Sequence, residues 1–474
     1  MGRKNFKFNA FLKSALTTEN PYNSTSDVLA WLQKRNAEIE VEISRIEFSK
    51  LKSWGFKNGG LRHNSGRFFS IEGVEVEVNR GDVTKWNQPV INQPEIGILG
   101  IITKEVNGVL YFLMQSKIEP GNVNYVQLSP TIQATKSNYT QVHKGKKPQY
   151  LEYFLNDSKS ETLLDQLQSE QGARFLRKRN RNIIIKVNDE IKDHPDFRWL
   201  TLGQIKELMQ SDNVVNMDSR TVISGITFGN YDGETVDFYS LVSGADSISN
   251  KLLSSELDNT SFVHSFDDIL HWFTRLKTFA ELSVIRKNIN QLDDWVVEKD
   301  IIRHKDNKYF SVIGVNVNIS NREVVSWDQP LIKPSQEGLC AFVIKEINGR
   351  FHFLVQAKME CGNFDVLEMA PTVQCLTGNY NNPDSIENLP FLNYVLSVEN
   401  SNILYDTLQS EEGGRFYREQ NRNLIILADS SFNEEIPENY IWLTLNQLKT
   451  FIKFNNYLNI QARSLLSMIS YIKI

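Results

Sequence analysis

The 474-residue sequence predicts an α+β fold made of two tandem homologous domains, each a mixed β-sheet with flanking helices. Two observations predict this fold: long motifs occur twice at a constant spacing, and each copy alternates helical with strand patterns. Hydrophobic residues make up 41% of the chain and charged residues 23%, as in ordinary globular proteins. The net charge of −5 argues against a general binder of nucleic acids or membrane surfaces.

The repeated motifs define the two copies. SEQGARFLRKRNRN, which starts at Ser169, recurs 241 residues later as SEEGGRFYREQNRN, which starts at Ser410. WNQPVI and WDQPLI keep the same spacing, whereas WLTLGQ and WLTLNQ lie 243 residues apart. We therefore expect a first domain at 1–228 and a second at 262–474. The segment 229–261 is rich in Ser, Asp, Asn and Gly, which predicts a linker with room for one short helix.

The first half of each copy is predicted to begin with a helix and continue with strands. Residues Phe68–Val78 alternate apolar and polar side chains, as a half-buried strand does. Asn107-Gly108 is the commonest two-residue hairpin turn, and it predicts a hairpin of Ile96–Glu105 with Val109–Lys117. The opening helices are predicted near Asp27–Arg35 and Phe266–Lys277, and the turn recurs at Asn348-Gly349.

The second half of each copy contains the acid–glycine–arginine motif. We predict that this motif lies on a helix, over Leu163–Lys178 in the first copy and Ile403–Gln420 in the second. A strand over Asn182–Val187 is predicted to follow the first of these helices.

The cysteines and the N-terminus indicate the cellular compartment in which the protein is expected. Three cysteines, Cys340, Cys361 and Cys375, lie in the second half, and no Cys-x-x-Cys pair occurs. This number and spacing favour free thiols in a reducing compartment. The basic N-terminus does not predict a signal peptide, because Lys13 divides its apolar run. No apolar run approaches the roughly 20 residues of a membrane span, so we expect a cytoplasmic protein.

Three stretches of the first copy resemble the NDP-hexose 2,3-dehydratases, a family of deoxysugar-pathway enzymes. They are WNQPVINQPEIGILG (Trp86–Gly100), EPGNVNYVQLSPTIQATKSNYTQVHKG (Glu119–Gly145) and DQLQSEQGARFLRKRNRN (Asp165–Asn182). The resemblance extends over nearly the whole chain. It implies two diverged Nudix-like domains, a homodimer, and a substrate that is an NDP-4-keto-6-deoxyglucose, usually in the dTDP form. It also implies that a downstream NAD(P)H-dependent 3-ketoreductase acts on the product.

The implied reaction is the loss of water across C2 and C3 of the sugar. The C4 ketone acidifies the C3 hydrogen, a base removes this hydrogen, and the C2 hydroxyl leaves with help from an acid. The enol then tautomerises to a 3,4-diketo-2,6-dideoxy sugar. The reaction needs no redox cofactor, and we expect none.

The base for C3 is expected to be a His, Glu or Tyr. The catalytic candidates are His63, Glu119, Tyr139, His143 and Glu170, of which His63 and Glu119 recur as His304 and Glu360. A lone histidine is more often structural than catalytic. Gln115, Gln133 or a protonated Tyr139 would stabilise the charge on O4, and losing one such donor typically costs about 3 kcal/mol of barrier.

The remaining substrate-binding candidates are amides, hydroxyls and arginines: Asn122, Gln127, Thr131, Asn138, Thr140, Arg174, Asn180 and Arg181. Arginine forks match phosphate oxygens, so we expect Arg174 and Arg181 to face the diphosphate, with Asn180 adding a donor. Two other interpretations remain open. One is a loop that satisfies its own backbone, and the other is a solvated helix end on which Arg174 pairs with Glu170.

The second copy predicts a related pocket. Its residues are Glu360, Glu368, Thr372, Gln374, Tyr380, Glu412, Arg415, Asn421 and Arg422. The second copy lacks a counterpart of His143 and has Glu368 where the first has Gln127. We expect the first copy to be catalytic and the second pocket to be non-catalytic or regulatory.

A metal site is not expected, because the Nudix box GX5EX7REUXEEXGU is degenerate here. Asp165 and Glu170 remain in the first copy and Glu411 and Glu412 in the second, without the upstream Gly-x5-Glu or the Arg-Glu pair. Two carboxylates are a poor cage for Mg²⁺. Two rival functions follow: a nucleotide-sugar sensor without chemistry, and a residual Mg²⁺-dependent pyrophosphohydrolase.

Overall fold

A computed structural model describes residues 10–81, 83–136, 148–156, 159–228, 247–320, 324–380, 389–433 and 435–472. In the first copy a short helix at 10–15 precedes α1 (Thr25–Ala37), β1 (Val41–Arg45), β2 (Trp54–Lys57), β3 (Gly60–His63), β4 (Ser70–Val78), β5 (Lys85–Asn92), β6 (Gly97–Val106), β7 (Val109–Ile118), β8 (Val126–Ser129), β9 (Ile132–Ala134), α2 (Leu151–Leu155), β10 (Glu161–Ser169), β11 (Arg179–Lys186), β12 (Phe197–Thr201), α3 (Leu202–Leu208) and α4 (Met217–Ser224).

The second copy repeats this order. It contains α5 (Ile248–Leu257), α6 (Phe266–Phe279), β13 (Leu282–Lys287), β14 (Trp295–Val297), β15 (Ile301–His304), β16 (Phe310–Ile319), β17 (Ser326–Pro334), β18 (Gly338–Ile347), β19 (Arg350–Lys358), β20 (Glu368–Ala370), β21 (Val373–Leu376), α7 (Leu392–Ser397), β22 (Ile403–Ser410), β23 (Gln420–Leu427), β24 (Tyr440–Thr444), α8 (Leu445–Phe451) and α9 (Ile460–Met468). Short 3₁₀ turns lie at Phe48–Lys50, Ile289–Gln291, Thr377–Tyr380 and Asn400–Asn402. The predicted α+β class with two repeated halves is confirmed.

The opening helices and the hairpin turns are confirmed. α1 and α6 each begin with a capping box, in which Ser24 pairs with Asp27 and Ser265 with Asp268. Asn107 and Gly108 have positive φ angles of 53° and 79°, as a type I′ turn requires. The right-handed twist of the flanking strands β6 and β7 favours this turn.

The predicted helices over Leu163–Lys178 and Ile403–Gln420 are wrong. Each segment is a strand, β10 or β22, followed by a turn that leads into β11 or β23. β10 pairs antiparallel with β11 over its whole length, with a bulge between Thr162 and Leu164. The many Leu, Gln, Glu and Arg residues have good helix propensity, but pairing within the sheet overrides this weak preference.

Each copy contributes one seven-stranded mixed sheet. In the first copy the order is β10-β11-β6-β7-β12, with β8 beside β7 and β9 beside β6. The pairing of β11 with β6 is parallel, and the other pairings of this sheet are antiparallel. The second copy has the same arrangement from β18 to β24. These sheets carry the apolar cores of the two halves.

The two copies exchange a strand. β1 of the first copy pairs antiparallel with β16 of the second, and β13 of the second copy pairs antiparallel with β4 of the first. Each five-stranded sheet therefore contains four strands of one copy and one strand of the other. Trp54 donates its indole N–H to the backbone oxygen of Asp328 at 2.8 Å. Trp295 makes the reciprocal bond to the backbone oxygen of Asn87 at 2.8 Å.

Helices α4 and α9, one from each copy, pack against each other. Arg220 of α4 donates hydrogen bonds to the Ser410 oxygen and to Ser464 of the second copy. Arg463 of α9 donates to the Ser169 oxygen of the first copy, and to the Leu458 oxygen at 2.6 Å. Both guanidinium groups are fully buried, so these bonds replace their lost hydration.

Part of the segment predicted to be a linker packs onto the second copy. In α5, Ser255 donates to the Phe351 oxygen at 2.6 Å and accepts from the Leu445 amide at 3.0 Å. Ser14, 241 residues earlier, bonds in the same way to Leu110 and Leu202. α5 is therefore the counterpart of the helix at 10–15. None of the helices that the structure describes is long and apolar enough to cross a membrane.

We predict that Arg463→Met lowers the free energy of unfolding by about 3–5 kcal/mol, because it leaves buried carbonyls and nearby carboxylates without their partner. Urea denaturation measures this change. Arg422→Met is the control: Arg422 pairs with Asp406 at 2.6 Å on the surface, so its loss should cost about 1 kcal/mol or less. Equal effects of the two substitutions would contradict the role given to Arg463.

Candidate active site

A cavity of about 1060 Å³ lies between the two copies. Its walls include β7 and β9 of the first copy, the loop after β10, the β2–β3 region, and β17 and the loop after β22 of the second copy. The polar and charged lining residues include His63, Gln93, Gln115, Lys117, Glu119, Gln133, Glu170, Lys178, Asn180, Asp218, Asp328, Glu412 and Arg415. The aromatic ones include Trp54, Phe68, Phe69 and Trp327.

Three buried carboxyl groups meet in this cavity. Glu119 follows β7, Asp218 lies in the first turn of α4, and Glu412 lies on the loop after β22 of the other copy. One oxygen from each lies within 4.8 Å of the others, and all three side chains are buried. We call these residues the carboxyl cluster. Neither copy alone contains it.

Donors surround the carboxyl cluster. The Gln133 amide donates to Asp218 and, at 3.4 Å, to Glu119. Arg415 donates to Glu412 at 2.9 Å and to Gln93 at 2.8 Å. One oxygen of Glu119 and one of Glu412 are buried without a hydrogen-bond partner among the described residues. These two oxygens can accept a proton or a ligand's hydroxyl group.

Burial raises the pKa values of Asp218 and Glu412. The pKa of Asp218 lies well above its usual range because of burial and the neighbouring charges of Glu412 and Glu119. Burial also raises the pKa of Glu412 to about 7, although Arg415 opposes the shift. The site can therefore hold both a protonated and an ionised carboxyl at neutral pH, which acid–base chemistry requires.

The hydrogen-bond donors around the carboxyl cluster suit carboxyl groups that bind and release protons better than carboxylates that bind a metal ion. Three carboxylate oxygens at this spacing resemble part of a divalent-cation site. The Gln133 N–H group, however, points at two of the three carboxylates, and Arg415 and Lys117 already pair with Glu412 and Glu119. Ammonium, guanidinium and amide N–H groups are donors and cannot ligate a cation.

A second polar group lies beside the carboxyl cluster. Glu170 accepts a hydrogen bond from the Asn180 amide, and its backbone N–H bonds the Lys178 oxygen at 2.9 Å. Burial raises the pKa of Glu170, and it lowers the pKa of Lys178 to about 8. The Lys178 ammonium donates to the Glu95 backbone oxygen.

The cavity brings together several residues that the sequence predicted. His63, Gln115, Glu119, Thr131, Gln133, Glu170 and Asn180 all line it. The Thr131 hydroxyl is committed to the backbone, because it accepts from Ile102 at 2.9 Å and donates to Leu113. His63 packs its ring against Trp54 and Phe68, and its Nδ1 lies 2.6 Å from the Ser65 hydroxyl.

Four predicted substrate-binding residues lie outside the lining of this cavity. Asn122 donates to the Tyr125 oxygen at 2.9 Å, and Gln127 accepts from Ser410 at 2.8 Å at the contact between the copies. Arg181 pairs with Asp165 at 2.7 Å on the surface. Arg174 does not pair with Glu170 on a helix; its guanidinium lies 4.2 Å from the centre of the Phe310 ring in the second copy.

Asn138, Tyr139, Thr140 and His143 lie outside the described residues, and so does the side chain of Tyr380. The roles predicted for them stay predictions.

Glu412 and Arg415 were predicted for the second pocket, but the structure places them in the cavity of the first copy. The reason is the crossing of the loops: Gly121 donates to the Gly413 oxygen at 2.7 Å, and Gly362 donates to the Gly172 oxygen at 2.8 Å. A Cβ atom on Gly413 would collide with Asn122 of the other copy. Glycine is therefore required where the loops cross.

The remaining second-copy candidates form an equivalent set around Glu360. Gln374 donates to Glu360 at 2.9 Å, and Asn421 donates to Glu411 at 2.6 Å. Thr372 repeats the backbone bonds of Thr131, and Arg422 repeats the surface pairing of Arg181. Glu368 accepts from Ser169 at 2.9 Å, and burial raises its pKa to about 7.

The chain matches the family model described as NDP-hexose 2,3-dehydratase over residues 25–226 and 266–469. It belongs to the NDP-hexose 2,3-dehydratase family. Three curated relatives carry the name dTDP-4-dehydro-6-deoxy-alpha-D-glucopyranose 2,3-dehydratase. The protein of Saccharopolyspora spinosa is 44% identical over 96% of this chain and 93% of its own. Those of Amycolatopsis orientalis and Streptomyces violaceoruber are 41% and 40% identical over 96% and 94% of this chain, and 92% and 97% of their own.

Sequence reasoning within this NDP-hexose 2,3-dehydratase missed Asp218, Lys178 and Lys117. Asp218 stands in the stretch NVVNMDSRTVIS (Asn213–Ser224), in which the sequence analysis named no candidate residue. Comparing the two copies would have drawn attention to it, because its counterpart 243 residues later is Gln461. Lys178 belongs to a basic run typical of a solvated helix end, and its burial follows from the strand pairing.

We predict that Asp218→Asn raises the free energy of unfolding at pH 8 by about 1–3 kcal/mol. A carboxyl whose pKa is higher in the folded state binds more protons when folded, so stability falls as pH rises between the unfolded and folded pKa values. Asparagine at position 218 does not titrate, so this fall in stability with rising pH is absent from the variant. The gain over wild type should shrink towards zero as pH falls to about 4.

Urea denaturation at several pH values measures the effect of Asp218→Asn. Asp165→Asn, at the surface pair with Arg181, is the matched control and should show no such trend. A variant that is less stable than wild type at pH 8 would show that Asp218 is ionised in the folded protein.

Proposed function

We propose that this protein is a hydro-lyase that removes water from C2 and C3 of dTDP-4-keto-6-deoxyglucose. Two observations support the proposal: the names of relatives that align with nearly the whole chain, and a cavity in which three buried carboxyl groups lie together. The product would be a 3,4-diketo-2,6-dideoxy sugar, still linked to the nucleotide. The carboxyl cluster is the observation on which the mechanism rests.

The proposed reaction balances as follows. An ionised carboxylate of the cluster takes the C3 proton, and the electron pair of the C–H bond forms the C3–C4 double bond, with the charge on O4. That charge returns to re-form the C4 carbonyl, the C2–O bond breaks, and a protonated carboxyl gives its proton to the hydroxyl, which leaves as water. The enol at C3 then loses its O–H proton, and C2 gains one.

The residues of the carboxyl cluster suit these steps. Asp218 and Glu412, whose pKa values burial raises, supply the protonated form, and Glu119, paired with Lys117 at 3.7 Å, supplies the carboxylate. General acid–base catalysis by such groups contributes typically about 10²–10⁴-fold each. Trp54 and Trp327 line the cavity and offer aromatic faces on which the nucleobase can stack.

We also propose that the second pocket binds a nucleotide sugar without turnover. Glu360, Gln374 and Arg174 repeat Glu119, Gln133 and Arg415, so groups suited to binding are present twice. Asp218 and Glu412 have Gln461 and Gln171 as counterparts, so two of the three carboxyls of the cluster are replaced by neutral amides. An amide cannot exchange protons as a carboxyl does.

We extend the proposal to the further properties that the family resemblance implies. The two halves are diverged Nudix-like modules, the protein is a cytoplasmic homodimer, and an NAD(P)H-dependent 3-ketoreductase consumes the product. Among the described residues the carboxyl cluster carries its own donors, which is consistent with a reaction that uses no metal. The rival sensor and the rival pyrophosphohydrolase predict other outcomes in the test below.

The test is mass spectrometry and proton NMR of dTDP-4-keto-6-deoxyglucose incubated with the purified protein in D₂O, without added metal or NADPH. We expect the loss of one water, with solvent deuterium at C2. Saturable binding with no change in mass would favour the sensor. Release of dTMP only after Mg²⁺ addition would establish the pyrophosphohydrolase instead.

We predict that Glu412→Gln lowers kcat by about 10²–10⁴-fold, because it removes one proton-transferring group of the cluster. The substitution keeps the shape of the side chain and copies Gln171 of the second pocket. Glu368→Gln, a buried carboxyl of the second copy, is the matched control and should keep wild-type turnover. If Glu368→Gln abolished turnover and Glu412→Gln did not, the catalytic pocket would have to be reassigned.

A further inference from the structure

The two pockets have the same origin, so the positions at which they differ separate binding from chemistry. The pairs Glu119 and Glu360, Gln133 and Gln374, and Arg415 and Arg174 are the same in both pockets. The pairs that differ in charge include Asp218 with Gln461, Glu412 with Gln171, and Lys178 with Glu419. The first two differences concern the carboxyl cluster. In the third pair the cation Lys178 of the first pocket corresponds to the acidic residue Glu419 of the second. Lys178 has no part in the proton transfers described above.

Lys178 occupies a buried position on the cavity wall. Its side chain is only 4% exposed and lines the cavity beside Glu170, Glu412 and Arg415. Its ammonium donates one hydrogen bond to the described residues, to the Glu95 backbone oxygen. An ammonium has three N–H donors, so two remain for a ligand in the cavity.

In the proposed reaction, negative charge develops on O4 of the sugar beside the carboxyl cluster, and a cation near O4 would stabilise it. Removal of the C3 proton puts negative charge on O4, and this charge develops close to carboxylates that would repel it. A fixed donor or cation in a dry site stabilises such charge far more than it would in water. Gln133 and Arg415 are already engaged with the cluster through hydrogen bonds.

We propose that Lys178 is a catalytic residue whose ammonium hydrogen-bonds O4 of the 4-keto sugar and stabilises the enolate. The proposal rests on the dehydratase function proposed above. Lys178 transfers no proton in this step: it remains an ammonium while the electron pair moves onto O4 and back. Its counterpart Glu419 would repel the same charge, which gives a further reason for the second pocket to bind without turnover.

Two other roles for Lys178 make different predictions. A lysine that anchors the diphosphate would affect KM and the Kd of dTDP more than kcat. A purely structural lysine would affect stability alone. An enolate-stabilising lysine lowers kcat and, with it, the rate at which the C3 hydrogen is lost, because both depend on the enolate.

The experiment compares Lys178→Met, Lys178→Gln and Lys178→Arg with wild type and with Lys186→Met. Lys186 lies on β11 and pairs with Glu105 at 3.3 Å, outside the lining of the cavity. The measurements are kcat, KM, the Kd of dTDP, thermal unfolding, and the loss of deuterium from substrate labelled at C3. Gln can still donate to the Glu95 oxygen, so it serves if Met prevents folding.

We expect Lys178→Met and Lys178→Gln to lower kcat and C3 deuterium loss together by about 10²–10³-fold, with Kd and KM changed less than about threefold. Lys178→Arg should recover part of the activity, and Lys186→Met should match wild type. Unchanged kcat, a change confined to KM and Kd, or normal deuterium loss with blocked dehydration would overturn the proposal. If wild type itself neither dehydrates the substrate nor exchanges C3, the proposed function fails first and this inference falls with it.

Discussion

Two buried arginines hold the halves of this protein together, and the geometry of the active site depends on them. Arg220 and Arg463 each bond the last residue of a strand in the opposite half, Ser410 or Ser169, from a fully buried position. A buried guanidinium is costly unless it is paired, so any arrangement that separated the two halves here would leave both guanidinium groups without these partners. The loop that starts after Ser410 then enters the cavity of the first copy and completes the carboxyl cluster.

Burial also makes the carboxyl cluster costly in folding free energy, and the proposed mechanism uses the raised pKa values that this burial produces. The cavity disfavours the charged forms of Asp218 and Glu412, and this raises their pKa values. Gln133 and Arg415 reduce the free-energy cost of burying these two carboxyl groups, but they do not remove it. An apolar or amide residue would be more stable at either position, as Gln461 and Gln171 suggest. Active sites commonly show this trade between stability and reactivity.

Sequence reasoning found the duplication, the class and the family because these depend on local patterns that repeat. The predicted residues Glu119, Gln133 and Glu170 do lie in one cavity, because they belong to one copy. Sequence reasoning misread β10 as a helix, since its residues have good helix propensity and only distant pairing makes them a strand. It also assigned Glu412 to the wrong pocket, because no local pattern reveals that two copies exchange loops.

The crossing of the loops changes how the duplicated sequence should be compared. Aligning the copies places Glu412 opposite Gln171, and this suggests that the first copy lost a carboxylate. In the folded protein Glu412 lies beside Asp218 and Glu119, and in the proposed second pocket the counterparts of these residues are Gln171, Gln461 and Glu360. Both amides therefore fall in one proposed pocket, although they lie in different halves of the chain. Each copy of the motif crosses to the opposite half, so the acids and amides that distinguish the two proposed pockets are divided between both halves of the chain.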